Sequence, residues 1–530
     1  MKIFVGNKWR EGFLDYYRSP EEYRIKVLAW RTLEKLNNVY HVRPKSIQLL
    51  LTYLPVVGPG GLFRKTWSRL REDYRNEKYT SCGIGKILES AVDGRFKKGD
   101  IVGFIAPLHP ALVERVVLPE KLIFKLDQEV IFQTPPNSIL YHGAPDNIEG
   151  NAWWKDIRGW SIYSGTPILL DLQEKISRGA QETLKNTDWK NSKHFFVEEI
   201  SEASETKGVV AKSKSRAKNA VLFGYGNYAK INNIPYSKPH VHIRTVHEID
   251  PTQIFWEKDA QKWDTSPMPH PDEKHEVYFI ASYNHTHVPI AIHALNQGAH
   301  VIMEKPIATD YQQLDDLINA TKNSKGEIFI GFQKRYSIFN DYARKDLGVK
   351  PGDPISYHCI VFEIIQPEFF WYNWPNSKSR LFSNGCHLVD HFLYLNDFSE
   401  PTSINLALAK DDTINVWIEL QNGAFFTMTF TEKGSSRVGP QDHIELKTPG
   451  RNVRITDAIR YFSENEHKII RKKRVFKTEA YKKMYKTISK KIARGEKGDS
   501  LRSITVSAKT MLILEDKLQT LLIEQRRKNS

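Results

Sequence analysis

Residues 220–229 read AVLFGYGNYA, and the fold of the larger part of the chain turns on this stretch. A short apolar run enters Gly224, Tyr225, Gly226 and Asn227, followed by Ala229, so a buried strand is expected to end in a glycine turn that opens a helix. In that context a G-x-G-x-x-A spacing has a mechanical meaning. Gly224 permits the tight turn, Gly226 lets backbone approach a pyrophosphate, and the small Ala229 lets the helix pack on the strand. The phosphates are expected at the helix N-terminus, where unpaired N–H groups and the helix dipole favour anions. Glu248 ends the next apolar run, VHIRTVHEID, about twenty residues on, where a carboxylate accepts hydrogen bonds from the adenosine ribose hydroxyls. It would repel a 2′-phosphate, so NAD(H) is favoured, while Arg244 and the basic surroundings leave room for NADP(H).

Outward from this loop, strand and helix alternate. EVYFIASYN and AHVIMEKP read as strands separated by the amphipathic helix VPIAIHALNQG, and a second helix, DYQQLDDLINATKNSKG, leads to the strand EIFIGFQ. A parallel sheet with right-handed crossovers is the economical solution, an α/β fold of Rossmann type. Glu304-Lys305-Pro306 ends one strand and Ser282-Tyr283-Asn284-His285-Thr286-His287 ends the strand before it, so both are expected at the carboxyl edge where open α/β sheets bind ligands. An ammonium there, at Lys305, can stabilise negative charge as a hydroxyl is deprotonated or polarise a carbonyl for hydride addition. His285 and His287 supply too few ligands for a metal, and none is expected.

These motifs, with GFQKRYS at 331–337 and Asn384-Gly385-Cys386-His387-Leu388-Val389-Asp390, resemble the glucose-fructose oxidoreductase / inositol dehydrogenase (Gfo/Idh/MocA) family, whose members carry N-H-x-H, E-K-P, G-F-x-R-R and G-x-H-x-x-D segments in this order. The resemblance runs nearly continuously from Ala220 to Ser337. It implies that Gly224, Tyr225, Gly226, Asn227, Ala229, Glu248, Ser282, Asn284, His287, Glu304, Lys305 and Pro306 face the cofactor, Glu304 at the nicotinamide ribose and Lys305 between nicotinamide and substrate. His387 is the candidate proton carrier, because imidazole titrates near neutrality, and Asp390, one helical turn on, binds substrate or orients the imidazole. Many relatives place a carboxylate four residues before this histidine; here Ser383 stands there, beside Asn384, and both are assigned to substrate binding. Arg335, Tyr336 and Trp374, the last in the aromatic run Phe369-Phe370-Trp371-Tyr372-Asn373-Trp374, are expected at the substrate mouth, where rings stack on sugars and Arg335 pairs with a phosphate or carboxylate.

From Pro354 the pattern changes to strand-like runs, ISYHCIVFEII, SINLALA, INVWIELQNG and AFFTMTFTE, with an Asn422-Gly423 turn, which implies an α+β domain with a largely antiparallel open sheet. A helix is expected after Gly385 and another over SITVSAKTMLILEDKLQTLLIEQRRK. The resulting division is 1–75 unassigned, 76–150 β-rich, 151–217 a connection ending in the polar tract SEASETKGVVAKSKSRAKN, 218–337 the NAD-binding domain, and 338–530 a substrate and oligomerisation domain. Within the second region, GIGKILESAVDGRFKKGDIVGF resembles the GroES-like part of medium-chain dehydrogenases over about Cys82 to Leu126. It lacks the cysteines of a structural zinc cluster and a G-H-E segment, so a shape-forming or partner-binding role is implied rather than a second catalytic centre.

The chain of 530 residues carries a net charge of +15, concentrated at Lys212 to Lys218, Lys468 to Lys477 and Lys482 to Arg494. Without an aromatic-interleaved RNA motif or zinc finger, this points to a solvated basic surface, an anionic substrate or a membrane surface rather than nucleic acid. GLFRKTWSRLREDYRNEKY, residues 61–79, could make such a peripheral contact. Three distant cysteines suit a reducing compartment, and the absence of a signal-like or membrane-spanning apolar run suits the cytoplasm. The leading expectation is an NAD(P)-dependent dehydrogenase acting on a sugar CH–OH, with a nucleotide-linked sugar of bacterial surface-polysaccharide biosynthesis as the expected substrate, in a homo-oligomer. An imine or carbonyl reductase of secondary metabolism and a non-catalytic NAD-binding scaffold or sensor are the alternatives.

Overall fold

The computed structural model describes residues 2–5, 8–13, 22–35, 54–60, 62–63, 78–110, 113–125, 138–140, 153–156, 161–163 and 217–529, apart from 239, 251–252, 254–259, 366–371, 373–374 and 436–438. Most of the expected connection at 151–217, the charged cluster before Lys218 and most of 61–79 lie outside the described residues.

The amino-terminal region is β-rich. A hairpin of β1 (Lys2–Val5) and β2 (Lys8–Glu11) precedes an eight-stranded sheet of β3 (Glu22–Lys35), β4 (Lys78–Glu89), β5 (Ile101–Pro110), β6 (Arg115–Pro119), β7 (Ile123–Lys125), β8 (Ser138–Leu140), β9 (Trp153–Asp156) and β10 (Ser161–Tyr163). Its own core gathers Tyr23, Ile25, Ile87, Phe104, Val116 and Leu118. Gly85 and Gly103 are needed there for space: a Cβ would lie 2.2 Å from Ile25 and 2.0 Å from the Phe124 ring, respectively.

The parallel sheet comprises β11 (Lys218–Phe223), β12 (Val241–His247), β13 (Lys262–Asp264), β14 (Val277–Ile280), β15 (His300–Met303) and β16 (Ile328–Ile330), in the order β13-β12-β11-β14-β15-β16. Every neighbouring pair is parallel. This is the doubly wound order, and its switch point lies between β11 and β14. The three-residue β13 was not expected from the sequence. Its central Trp263 packs edge-on against Tyr225 at 5.0 Å and so fixes the glycine loop from outside.

Alternate residues of these strands feed two cores. Val221, Phe223, Tyr278, Ile280, Val301 and Met303 pack with α2 (His287–Asn296) and α3 (Tyr311–Asn323), whereas Ala220, Leu222, Val277, Phe279 and Ile302 face the other way. That second face is covered by Tyr236 of the short α1 (Ile234–Ser237) and by Met484, Tyr485, Ile488 and Ile492, all of them buried. Burial of each such large side chain stabilises the fold by roughly 1.5–3 kcal/mol.

After α4 (Ile338–Leu347) the chain builds a second eight-stranded sheet. It contains β17 (Ser356–Phe362), β18 (Pro401–Leu408), β19 (Ile414–Leu420), β20 (Phe425–Thr431), β21 (Gln441–Thr448), β22 (Arg451–Thr456), β23 (Arg460–Asn465) and β24 (Ile469–Arg474), with α5 (Cys386–Leu395) inserted after β17. In β19 the residues Ile414, Val416, Ile418 and Leu420 are buried and their neighbours exposed, the alternation of a sheet with one covered face. Gly423, at φ +84°, makes the turn into β20. All pairings are antiparallel except β17 with β20.

Two of the three basic runs fall in regular elements. Ile469–Arg474 is the last strand, and Glu479–Arg494 is helix α6, which leaves the antiparallel sheet to cover the parallel one. The long helix α7 (Leu501–Asn529) ends the chain's described part. No helix of the described residues is long and apolar enough to cross a membrane.

Candidate active site

The glycine loop has the shape its spacing requires. Gly224 sits at φ +90°, and a Cβ there would come within 2.4 Å of the Ala281 carbonyl oxygen; a Cβ on Gly226 would meet nothing within 4 Å. One glycine is therefore demanded by the protein itself, while the other leaves open space above the backbone, as a bound pyrophosphate needs. Asn227 opens the helix and Ala229 is buried against the sheet. Glu248 accepts the Tyr225 N–H at 2.7 Å and the Asp250 N–H at 3.0 Å, one on each carboxylate oxygen, which leaves further lone pairs for ribose hydroxyls. Burial, and then the neighbouring Asp250, push this carboxyl up to about 7. Arg244 is engaged elsewhere, donating to Asn219 at 2.9 Å.

Beside the loop, a cavity of about 470 Å³ opens along the carboxyl ends of β14, β15 and β16. Ala281, Ser282, Asn284 and His287 line it after β14, Glu304 and Lys305 after β15, and Gln333 and Lys334 after β16. Tyr228, from the helix that follows the glycines, joins them, so cofactor loop and cavity are contiguous.

Lys305 donates to the Ser383 carbonyl at 2.9 Å and reaches Asn384 Oδ1 at 3.5 Å. Burial works against its charge, but Tyr372, Cys386 and Glu304 more than offset this, so its pKa is raised and it is an ammonium at neutral pH. Glu304 is buried and bonded to the Tyr485 hydroxyl, with the Tyr228 hydroxyl 3.1 Å beyond. Burial pushes its carboxyl up to about 7 despite Tyr485 and Lys305. His387 also lines the cavity, and its Nδ1 has no partner among the described residues. Burial, followed by Lys305 and Lys334, holds its pKa well below the usual histidine range, so the ring is neutral.

His287 Nδ1 lies 3.0 Å from the Pro306 carbonyl and its Nε2 3.2 Å from the Ser282 carbonyl. Burial lowers its pKa to about 4, so the ring is neutral and donates to only one of them. Ser282 Oγ pairs with Thr286 Oγ1 at 2.7 Å, and Asn284 Nδ2 donates to Ser377 O and Ser383 Oγ at 2.9 and 3.1 Å. Among the described residues no group of three or more His, Cys, Asp or Glu could hold a metal ion.

Four residues expected to bind substrate, Arg335, Asp390, Ser383 and Tyr336, do not line the cavity. Arg335 turns the other way, with Nε 2.8 Å and Nη2 2.5 Å from the two Asp390 oxygens and Nη1 2.8 Å from Asp499. Asp390 also accepts from Ser507 at 2.7 Å. A buried guanidinium must be neutralised, and Asp390 is used for that, not for His387. Ser383 is fully buried, and its hydroxyl is spent between Asn284 and the Ser377 carbonyl. Tyr336 faces a neighbouring groove, Asn384 remains at the cavity, and Trp374 lies outside the described residues with most of its aromatic run, of which Tyr372 lines the cavity.

The opposite wall was not anticipated. Glu363, just past β17, Asp442 in β21, and Lys477 and Tyr481 at the approach to and start of α6 complete the cavity. Lys334 donates to Asp442 at 2.6 Å, and among the described residues Asp442 Oδ1 and Gln333 Oε1 have no partners. Burial raises the Glu363 carboxyl, with Arg380 3.6 Å away as partial compensation. Lys334 stands within the QKRYS stretch, one position before Arg335; the others carry no local signal.

Residues 188–332 match the family model GFO_IDH_MocA, described as "Oxidoreductase family, NAD-binding Rossmann fold", a match that begins ahead of β11. Solved structures similar to this chain include a levoglucosan dehydrogenase in complex with NADH and levoglucosan, at 17% identity and a TM-score of 0.49, covering 57% of this chain and 98% of that one. Another is the WlbA dehydrogenase of Chromobacterium violaceum in complex with NADH and UDP-GlcNAcA, at 17% identity and 0.46, with 58% and 96% covered. The MviM dehydrogenase of Clostridium difficile aligns at 14% identity and 0.44, with 56% and 99% covered. The G-x-G-x-x-A loop and the doubly wound sheet agree with this match: residues 188–332 are similar to the NAD-binding Rossmann fold of the Gfo/Idh/MocA oxidoreductases.

Proposed function

We propose that the cavity transfers hydride between NAD(H) and a sugar carbon, interconverting a hydroxyl and a carbonyl. The observation that carries this reading is the convergence of a charged Lys305 and a neutral His387, its Nδ1 without a partner among the described residues, on one cavity contiguous with the glycine loop. The nicotinamide, when bound, accepts or supplies the hydride. Gly226 and Glu248 would seat the phosphates and adenosine ribose, and Ser282, Asn284, His287, Glu304 and Pro306 would frame the nicotinamide side. Lys305 donates a hydrogen bond to the reacting oxygen and stabilises negative charge there, while His387 takes the hydroxyl proton on oxidation or returns it on reduction. Acceptors at Gln333 and Asp442 that have no partner among the described residues suit a ligand rich in hydroxyl donors.

A second reading, a carbonyl or imine reductase, is favoured by His387 itself. A ring whose protonated form is disfavoured is a weak base for the oxidation, and Ser383 supplies no carboxylate to correct that. A sugar panel assayed in both directions separates the two. Lys305→Ala tests the enzyme reading as a whole: turnover should fall roughly 10²- to 10⁴-fold with NADH binding retained. Equal turnover in the variant, or NADH binding without hydride exchange on any substrate, would leave a scaffold or sensor in its place.

We read the amino-terminal sheet as a GroES-like, non-catalytic unit and the protein as cytoplasmic. A homo-oligomer would form through the uncovered face of the antiparallel sheet, where Ile360 and Trp417 are exposed, with light scattering as the check. A nucleotide-linked sugar of surface-polysaccharide synthesis fits if its charged part has a cationic seat outside the cavity.

A further inference from the structure

Helix α6 has two sharply different sides. Met484, Tyr485, Ile488 and Ile492 are buried against the parallel sheet, and the other side lines a groove of about 890 Å³ together with Lys238, from the turn after α1. Two of its cations have local carboxylate partners, Lys482 with Glu479 and Arg494 with Glu496, both at 3.5 Å. Lys238, Lys483, Lys486 and Lys490 line the groove exposed, with no carboxylate partner among the described residues. Lysines at 482, 486 and 490, followed by Arg494, repeat every fourth residue, and each such like-charge pair costs a helix roughly 0.2–0.5 kcal/mol. A solvated face needs no such row, and no concavity.

The groove shares Ser337, Ala458 and Ala480 with the cavity that holds Lys305, so the two form a continuous path. Neither Gly224, Gly226 nor Glu248 lines it, which separates it from the place where the cofactor pyrophosphate is expected. From Ala480 to Lys490 the helix rises about 15 Å at 1.5 Å per residue, longer than one phosphate requires and enough for a diphosphate with an attached group. Unpaired ammonium groups converging in a concave site match the two to three negative charges of a diphosphate, while a flat bilayer cannot enter a groove.

We infer that the α6 groove binds a diphosphate carried by the substrate, as in a nucleoside diphosphate sugar, with the sugar reaching through to Lys305; this rests on the hydride-transfer reading of the cavity. The test is calorimetric titration of the full chain with uridine diphosphate, with inorganic pyrophosphate and, separately, with NADH. The wild-type protein should bind both diphosphates with an affinity that falls as salt is raised. The triple variant Lys483→Gln/Lys486→Gln/Lys490→Gln alters only exposed positions. It should lose roughly tenfold or more in diphosphate affinity with NADH binding and circular dichroism unchanged. Failure of both diphosphates to bind, or equal binding by the variant, overturns the inference. So does binding to phosphatidylglycerol vesicles that the variant abolishes while neither diphosphate binds, which would make the groove a membrane contact. Because these titrations need no turnover, they stand apart from Lys305→Ala: loss of the groove leaves the hydride reading intact, and failure of that reading leaves the diphosphate result to be read by itself.

Discussion

The two walls of the cavity were built in different ways. On one, the lining residues follow strand ends of the parallel sheet: Tyr228 after β11, Ser282, Asn284 and His287 after β14, Glu304 and Lys305 after β15, and Gln333 and Lys334 after β16. On the other, Glu363, Asp442, Lys477 and Tyr481 come from the antiparallel sheet and from the segment and helix that cross from it to the parallel one, joined to the first wall by pairs such as Lys334 to Asp442. A strand end delivers side chains to a ligand by local geometry, so short motifs suffice. The opposing wall depends on which distant segments pack together, and no short motif encodes that.

The comparison breaks most visibly at Arg335, which looked like a member of the ligand wall and is a structural tie. Arg335→Ala strands the buried carboxylate of Asp390 and should cost about 3–5 kcal/mol, read as a lower urea midpoint. Unchanged stability with a raised KM would return Arg335 to the substrate side. Next in size is Gly224→Ala, where φ +90° and the Ala281 carbonyl oppose a Cβ; a loss of about 1–3 kcal/mol by thermal or urea unfolding is expected.

A smaller effect sharpens the account of the adenosine end. Only an ionised Glu248 accepts from both ribose hydroxyls, and its carboxyl titrates at about 7. The NADH Kd should therefore be flat above that pH and rise below it, by at most about tenfold per pH unit. Glu248→Gln should flatten the profile; persistence of the slope would assign it to Glu304, also raised to about 7. The smallest effect is expected at Gly226→Ala. Stability should move by no more than about 0.5 kcal/mol, because the added Cβ meets no protein atom, yet NADH should bind more weakly as the methyl enters the pyrophosphate space. A drop in stability matching that of Gly224→Ala would mean that the two glycines do the same work.

Legibility followed the range of the interactions. Strands β11, β12, β14, β15 and β16 could be read because both faces of the sheet are covered, leaving dense apolar runs between turn signals. Strand β13, with only Lys262, Trp263 and Asp264, is too short for any period to show, though it braces Tyr225. Strand β24, IIRKKR, lies at the sheet edge with mostly exposed cations, and α6 is so rich in lysine that charge masked its apolar stripe. At Asp390 the helical spacing from His387 suggested a shared face, but a buried arginine from another segment claimed the carboxylate.

The sequence by itself determined the parts whose physics is local: the turn at Gly224, the open backbone at Gly226, the carboxylate at the end of β12 and the lysine at the end of β15. The tertiary structure alone decided which charges meet. It turned Arg335 and Ser383 away from the cavity and brought in Asp442 and Glu363. It also laid α6 where its lysines face a groove that opens onto Lys305. Burying a charge is costly unless a partner is supplied, and the partners here lie far apart in the chain, so only the packed fold settles which pairs form.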